Sequence, residues 1–284
     1  KAVFSGGKYE KFYLDPGPAP DRMIYQLVSG DSDSLVKGAE FFDSYENGIG
    51  IDINMGCTAP EITKIGGGIS WMEDINKTAD LLKKLRKKIK NKSLSIKIRS
   101  GIKENREYLI QFVKMAENEG VDFITFHGRN KKDKLKRSAK WSYFEIVKNA
   151  VSIPVIGNGD IQSYEIYRSR QEEYHPDGMM IGRKAVSQPW FFYYIREKNK
   201  NHDYQIEINL KELLLKYYEH IKLVLPDDWH ASRMKRFIIY FHSNLFFGHE
   251  LFKSVSYLKD FYVIKQKICE YFQKFPDDRI KTFN

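Results

Sequence analysis

The chain has little cysteine and no long apolar run. Only Cys57 and Cys269 occur among its 284 residues, and they lie far apart. A disulfide-stabilised secreted domain carries more cysteines than this, so we expect a protein of the reducing cytoplasm. No apolar stretch approaches the roughly 18 residues of a membrane-crossing helix, and the first residues lack the apolar core of a secretory signal. The sequence therefore predicts neither a disulfide scaffold nor a membrane protein.

Acidic residues are also scarce relative to basic ones. The chain has 47 Lys and Arg against 37 Asp and Glu, which gives a net charge of +10. This excess favours a polyanionic partner, either nucleic acid or a membrane surface, although a lysine-rich genome produces the same excess. Hydrophobic residues make up 42% of the chain and aromatic residues 14%. That content is sufficient for one large core with a smaller second domain, and it argues against disorder.

Short apolar segments alternate with helical patterns through the first two thirds of the chain. Helices are predicted at residues 76–89 and 106–118, where apolar residues recur every three or four positions. The alternation indicates parallel βαβ units. The segments interpreted as buried strands are residues 23–28, 49–54, 94–99, 123–127, 153–157 and 178–182.

Polar or reactive side chains follow nearly every predicted strand. In a barrel the carboxyl ends of the strands converge on one site, whereas in a doubly wound sheet, the main alternative, they spread along an edge. We therefore predict a (β/α)₈ TIM barrel in residues 1–199. The strand-end residues are Gln26, Asn54, Lys97, Arg99, His127, Asn158, Asp160 and Arg183.

Six strands are fewer than the eight of a closed barrel. Residues 1–4 fit the frayed end of one more strand. Because an open barrel exposes unpaired edges, we expect one complete βα unit and most of a second strand to be absent from this chain. After residue 199 we identify no strand, and helices are predicted at residues 208–224, 232–246 and 255–272. Residues 200–284 are therefore predicted to form a small all-α helical domain.

The most informative segment runs from Asp52 to Pro60, with the sequence DINMGCTAP, and leads into the glycine-rich stretch IGGGI at residues 65–69. Cys57 follows a strand end, where a thiol can act as a nucleophile, a metal ligand or an acid. A small buried thiol is the alternative. No second cysteine or close histidine pair accompanies it, so we expect no metal.

Five motifs follow one another over roughly residues 20–195: DINMGCTAPEITKIGGG, SIKIRSG, FITFHGR, VIGNGDI and DGMMIGRKAVSQPWFF. In this order they resemble the motifs of the tRNA-dihydrouridine synthase family. No single motif is specific to the family, but the ordered set is. The segment RMKRF at residues 233–237 is similar to that family's basic C-terminal helix.

The resemblance implies reduction of the C5–C6 double bond of a uridine in tRNA, with FMN as the hydride donor and NADPH as the reductant. It implies that Cys57 donates the proton to C5, because a thiol positioned beside the base can act as a general acid. It also implies that Asn54 holds the uracil edge and that Arg99 contacts the base or its phosphate. An amide and a cation suit the carbonyl acceptors of uracil.

For the cofactor, the resemblance places Gln26, Lys97 and His127 beside the flavin ring. Lys97 otherwise reads as a solvent-facing charge and His127 as a structural histidine. The phosphate is expected at the last two strand ends, because the corresponding loops of many barrels bind phosphate. The residues expected there are Asn158, Gly159, Asp160, Gly182 and Arg183.

Residues 129–140, with the sequence RNKKDKLKRSAK, form a basic loop after a strand end, with seven basic residues and one acid. A solvated loop is the alternative, but a tRNA backbone crosses this face if a base is flipped into the barrel. The basic cluster at residues 83–92 is interpreted as solvated surface. The predicted tRNA contacts are Arg129, Lys132, Arg233, Lys235 and Arg236.

Two departures from the family pattern leave alternatives open. Thr58 stands where relatives usually have proline, and the family's first strand, with an Ala-Pro-Met motif against the flavin, has no counterpart here. If the natural protein also lacks that strand, the alternative is a catalytically silent tRNA-binding relative that binds FMN weakly. Another FMN barrel, such as a dihydroorotate or dihydropyrimidine dehydrogenase, acts on free pyrimidines and needs neither the basic loop nor the helical tail. We expect a monomer.

Overall fold

A computed structural model describes residues 17–133 and 137–284, together with residues 12, 14 and 15. It contains two compact units. The barrel unit comprises the residues up to Ile161 and Glu165–Met180, and the C-terminal unit comprises Gln162–Tyr164 and Ile181–Asn284. The strand end predicted at residues 1–4 and the basic residues Lys134 and Lys136 lie outside the described residues.

The barrel unit contains one parallel sheet of six strands, in which each strand pairs with the next along the chain. A doubly wound sheet reverses its strand order at a switch point, whereas a barrel sheet is wound in one direction. The sequential order therefore confirms the predicted α/β barrel architecture. The strands are β1 (Ile24–Leu27), β2 (Gly50–Met55), β3 (Ser93–Arg99), β4 (Phe123–His127), β5 (Val155–Asn158) and β6 (Gly178–Met180).

Alternation along the central strands separates an apolar face from a polar one. In β2, Ile51 and Ile53 are fully buried, as are Ile96 and Ile98 in β3. Successive side chains of a strand point to opposite faces, so the intervening polar residues of both strands share the other face. This pattern buries the isoleucines in the core of the unit and presents the polar side chains to the inside of the curved sheet.

Helices follow the strands, and the two predicted from periodicity are confirmed within a residue. Several begin at a side chain that accepts a hydrogen bond from the first turn, as a capping Asp or Asn does; these caps are Asp31, Asp74 and Asn105. The helices are α1 (Ser32–Ser44), α2 (Pro60–Thr63), α3 (Ile75–Lys88), α4 (Arg106–Asn118), α5 (Ser142–Ala150) and α6 (Tyr164–Tyr174).

The C-terminal unit is mainly helical, but it also contains a two-stranded antiparallel sheet. The predicted helical domain is confirmed, and the small sheet is a detail that the sequence did not predict. No helix among the described residues is long and apolar enough to cross a membrane. The elements are α7 (Arg183–Ser187), α8 (Phe191–Lys200), β7 (Ile206–Asn209), α9 (Leu210–Val224), α10 (Asp227–Phe241), α11 (Gly248–Ser256), α12 (Phe261–Lys274) and β8 (Ile280–Phe283).

Two of the three helices predicted in this region have wrong limits. The helix predicted at residues 232–246 begins earlier, because Pro226 occupies the cap position and two aspartates fill the first turn, where acidic side chains are favourable. The single helix predicted at residues 255–272 is two helices. Asp260 caps the second one through the backbone N–H groups of Tyr262 and Val263, which accounts for the break.

Candidate active site

A cavity of about 560 Å³ lies inside the curved sheet of the barrel unit. Residues of both edge strands, β1 and β6, line it together with residues of β2, β3 and β4, so the sheet curves around it as in a barrel. Five predicted site residues meet here, as expected for converging strand ends. They are Gln26, Asn54, Cys57, Lys97 and Arg99.

The backbone around Cys57 is held by side chains and backbone groups from several segments. The Asn54 Oδ1 atom accepts hydrogen bonds from the N–H groups of Gly56 (3.2 Å) and Cys57 (2.9 Å). The Arg99 Nε atom donates to the Gly56 carbonyl (2.8 Å), and the Ile69 N–H donates to the Cys57 carbonyl (2.9 Å). The thiol therefore sits in a fixed loop at the mouth of the cavity, and Asn54 and Arg99 both support that loop.

The glycine-rich stretch at residues 65–69 packs directly against this loop. Gly68 has φ +59°, and a Cβ atom there would lie 2.4 Å from the Cys57 carbonyl oxygen. At Gly30, a Cβ atom would lie 1.6 Å from the Ile65 carbonyl oxygen. Only glycine permits these backbone approaches. The glycines therefore allow the stretch at residues 65–69 to pack closely against the loop that carries the thiol.

Two polar residues of the cavity, Asp52 and Ser95, were missed by the sequence reasoning. Gln26 Nε2 donates to one Asp52 oxygen and Ser95 Oγ donates to the other, each at 2.7 Å. Burial raises the pKa of Asp52, while these two hydrogen bonds and nearby Lys97 oppose the rise. Period-two alternation, counted back from Asn54 and Lys97, places both residues on the polar face and was the available signal.

The cavity is rich in cationic groups. Burial lowers the pKa of Lys97, and the neighbouring Arg99 guanidinium lowers it further, against the opposing effect of Asp52. The Arg99 Nη1 atom is buried and finds no hydrogen-bond partner among the described residues. A buried donor without a partner is costly unless a ligand satisfies it. The arrangement therefore suits an anionic or carbonyl-bearing ligand.

His127 belongs to a buried cluster with Arg129 and Asp160. Arg129 Nη1 lies 3.2 Å from His127 Nε2, and Arg129 Nη2 donates to both Asp160 oxygens at 2.9 and 2.8 Å. Since a guanidinium only donates, Nε2 must accept, which puts the hydrogen of the neutral ring on Nδ1. Burial, followed by the charges of Arg99, Lys97 and Arg129, lowers the pKa of His127 to about 3.

This depressed pKa predicts a pH dependence of stability. His127 titrates near 6.5 in the unfolded chain and about 3 in the folded one, so between these values only the unfolded chain binds the proton and stability falls as the pH falls. By pH 5 the cost is about 2 kcal/mol. We expect the His127→Gln variant to lose about that much less stability than the parent between pH 7 and pH 5 in urea unfolding. Equal losses would show that His127 protonates freely in the fold.

The cluster bears on two predicted roles. The Arg129 side chain is 4% exposed and paired with Asp160, so it does not reach a tRNA phosphate. Both Asp160 oxygens accept hydrogen bonds, from Arg129 and from the Ala139 N–H (2.8 Å), so this side chain positions a guanidinium, while the phosphate contact through backbone N–H groups stays a prediction. The buried pair acts as an internal support beside His127.

The neighbouring Asn158 and Gly159 are also engaged within the barrel unit. Asn158 Nδ2 donates to the Met180 carbonyl (2.7 Å), and Gly159 has φ +132°. A Cβ atom on Gly159 would lie 3.0 Å from the His127 ring, so glycine allows the segment to pack on the imidazole. The other two residues expected at the phosphate, Gly182 and Arg183, belong to the C-terminal unit, where they begin α7.

The basic loop, residues 129–140, is closed at its base. The Lys140 N–H donates to the Gly128 carbonyl (2.7 Å), and Arg129 Nε donates to the Arg137 carbonyl (2.5 Å). Lys132 is exposed, in agreement with a surface role. Lys131 lies 3.6 Å from Glu73, a weak exposed pair that leaves it accessible.

On helix α10 of the C-terminal unit, the three predicted tRNA contacts have different surroundings. Arg236 is exposed, and the Arg233 guanidinium lies 4.9 Å from the Trp229 ring. Lys235 Nζ donates to the Leu258 carbonyl (2.8 Å), just beyond α11. The Lys235 ammonium is thus partly engaged within the unit, and its contact with a tRNA phosphate stays a prediction.

No group of three or more His, Cys, Asp or Glu side chains in the described part of the chain could hold a metal ion. The polar cavity, the thiol loop and the cationic groups around it are thus the candidate site.

Comparison with known proteins shows which family this chain resembles. The model for "Dihydrouridine synthase (Dus)" matches residues 6–253. A Helicobacter pylori protein described as "Probable tRNA-dihydrouridine synthase" is 31% identical over 224 residues, which cover 76% of this chain and 65% of the relative. A Rickettsia prowazekii protein of the same description is 27% identical over 262 residues, covering 91% and 79%. For tRNA-dihydrouridine synthase B of Vibrio cholerae, 33% identity extends over 67% of this chain and 58% of the relative. The chain thus spans about two thirds of the Helicobacter protein's length.

Proposed function

This chain belongs to the dihydrouridine synthase family, and on that premise we propose that it reduces the C5–C6 double bond of a uridine in tRNA, with FMN as cofactor and NADPH as reductant. The observation that carries the proposal is the placement of Cys57 in the same cavity as Lys97 and Arg99. A thiol, an ammonium and an unpartnered guanidinium donor together supply a proton donor and sites for an anionic flavin edge and a carbonyl-bearing base.

In this proposal FMN, when bound, supplies the hydride that adds to C6 of the uracil ring. Cys57 then donates its proton to C5, and the fixed loop around it limits the positions that the thiol can take. The Nη1 group of Arg99 donates to a uracil carbonyl or to a phosphate oxygen. Asn54 has its Oδ1 atom committed to the loop, so its contribution to the base comes through the remaining amide hydrogen.

The residues present fit a flavin ring. Gln26 retains one amide hydrogen beyond its bond to Asp52, His127 retains its Nδ1 hydrogen, and Lys97 is a cation whose pKa is lowered by burial. An anionic partner would restore the preference of Lys97 for its charged form. We propose that these three residues hold the ring, and that the backbone of Asn158 and Gly159 holds the phosphate.

The direct test is the absorbance of the purified protein. We expect it to carry FMN, seen as flavin absorption bands, and to form dihydrouridine in unmodified tRNA when NADPH is supplied. A protein that stays colourless and gains no flavin bands when FMN is added would exclude the redox function and favour a silent tRNA-binding relative. A protein that is yellow but reduces free pyrimidines and not tRNA would favour the other FMN barrels.

The proposed tRNA surface comprises the exposed part of the basic loop, and Arg233 and Arg236 of the helical domain proposed at residues 200–284. Removing a single phosphate contact should reduce the salt slope of tRNA binding by about one. Replacing Lys131 and Lys132 with serine should therefore weaken binding and flatten the dependence of log K on log salt by up to about two.

The matched control changes two basic residues of helix α3 that are interpreted as solvated surface. Lys83→Ser with Lys87→Ser removes the same charge and should leave the salt slope unchanged apart from a small long-range effect. If both pairs of substitutions change affinity equally, only net charge matters and the basic loop has no special contact with tRNA.

A further inference from the structure

Asp52 is a buried acid for which the proposed chemistry has no use. It lies on β2 at 7% exposure, and its two oxygens accept hydrogen bonds from Gln26 and Ser95. These two bonds lead to neighbouring side chains and not to the thiol itself. Because burying a carboxylate is costly, a residue at this position needs a reason to be there.

The reason lies in a chain of hydrogen bonds that leads from Asp52 to the thiol loop. Gln26 Nε2 donates to Asp52 at 2.7 Å, and Gln26 Oε1 accepts from Asn54 Nδ2 at 2.8 Å. Asn54 Oδ1 then accepts from the N–H groups of Gly56 and Cys57. Asp52 is thus connected to the Cys57 backbone through two side-chain amides.

The direction of every bond in this chain is determined at its two ends. The two backbone N–H groups can only donate, so Asn54 must present its oxygen to them and its NH₂ group to Gln26. Gln26 must then present its oxygen to Asn54 and its NH₂ group to Asp52. An ionised carboxylate can only accept hydrogen bonds. If both amides were turned round, the Gln26 oxygen would face the Asp52 oxygen, and neither could donate.

We propose that Asp52 is a positioning residue that fixes the orientation of the Gln26 and Asn54 amides and, through them, the loop that carries Cys57. The proposal rests on the proposed function only in giving Cys57 the role of proton donor. Gln26 becomes the link between the flavin ring and the thiol loop, because the same amide that faces Asp52 and Asn54 keeps one hydrogen for the cofactor.

The test measures backbone hydrogen exchange at Gly56 and Cys57 in the purified chain, without FMN or tRNA. Asp52→Leu keeps the branched shape of the side chain but removes the acceptor, which frees the Gln26 amide to turn, so exchange at both N–H groups should accelerate about five- to tenfold. Gln26→Met breaks the chain one link later and should give a similar acceleration. Asp52→Asn keeps one acceptor oxygen and should change exchange by no more than about threefold.

The combination of Asp52→Leu with Gln26→Met distinguishes positioning from packing. If both residues act through one chain, the double variant should exchange no faster than the faster single variant, because groups that act as a unit are not additive. Effects that multiply would overturn the proposal, as would unchanged exchange in Gln26→Met. Should Asp52→Leu fail to fold, Asp52→Asn and Gln26→Met still decide between the two outcomes.

Two controls separate local release from general loosening. Exchange at Phe112 and Val113, which are fully buried on α4, should stay unchanged in every variant that folds. The alkylation rate of Cys57 should follow the loop exchange, while that of Cys269 on α12 should not change. Since none of these measurements needs flavin or tRNA, a protein without synthase activity can still confirm the role of Asp52, and an active one can still contradict it.

Discussion

Replacing Cys57 with alanine should slow dihydrouridine formation by about 10²–10⁴-fold, the usual contribution of a positioned acid. Hydride addition at C6 leaves negative charge on the uracil ring that a proton at C5 must quench. FMN binding and the rate of flavin reduction by NADPH should change little, because neither step needs the thiol. Binding of tRNA should also persist, since phosphate contacts supply most of the affinity.

The measurement is single-turnover oxidation of pre-reduced enzyme by unmodified tRNA, with dihydrouridine quantified in the product. Cys269→Ala is the matched control, because it removes the other thiol from helix α12 in the C-terminal unit. If Cys57→Ala reoxidises as fast as the parent and yields dihydrouridine, another acid or water delivers the proton and the role assigned to Cys57 is wrong.

The Asp160→Asn variant should lose about 2 kcal/mol of unfolding free energy, less than a fully buried ion pair loses with one partner removed, because a quarter of the Asp160 side chain is exposed. The loss arises because the Arg129 charge stays buried, with a 4% exposed side chain, and no longer has a carboxylate beside it. Asparagine also tolerates the positive φ of 54° at this position, so the substitution changes charge without adding backbone strain.

The control for this prediction is an exposed ion pair of the same unit. Lys88 and Glu40 lie 2.9 Å apart with about half of each side chain in solvent, and Glu40→Gln should cost no more than about 0.5 kcal/mol. Urea unfolding of both variants beside the parent provides the comparison. Equal and small losses would mean that solvent reaches Arg129 and that the cluster does not support the site.

The barrel could be predicted from the sequence because each of its strands and helices is marked by a pattern within a short stretch of residues. Nearly every strand is a short apolar run followed by a polar residue, and the β3 residues Lys97 and Arg99 show the two-residue period that places them on one face. The two-stranded sheet of the C-terminal unit was not predicted, because its two strands are far apart in the sequence. Strand β7 runs directly into helix α9, and its partner β8 lies at the far end of the chain, so no local pattern distinguishes β7 from an extension of the helix.

Within the site, sequence reasoning predicted which strand ends meet, and it could not predict which side chains pair with each other. Arg129 belongs to a run of basic residues, and its partner Asp160 lies 31 positions later. Burial reverses the expected role, because a guanidinium that pairs with a carboxylate inside the fold is no longer available to a phosphate. The alternation that placed Lys97 on the polar face also applies to Asp52, but only the contacts with Gln26 and Ser95 show its role.

The closed base of the basic loop has a consequence for how this surface can evolve. The loop starts and ends at Gly128 and Lys140, whose backbones are hydrogen-bonded, and Arg129 ties residue 137 to the buried pair below. Because these bonds hold the loop at its base, a change of charge at an exposed residue such as Lys132 leaves the contacts between Arg129, His127 and Asp160 intact. The charge that the loop presents to solvent can therefore change while these inner contacts are kept.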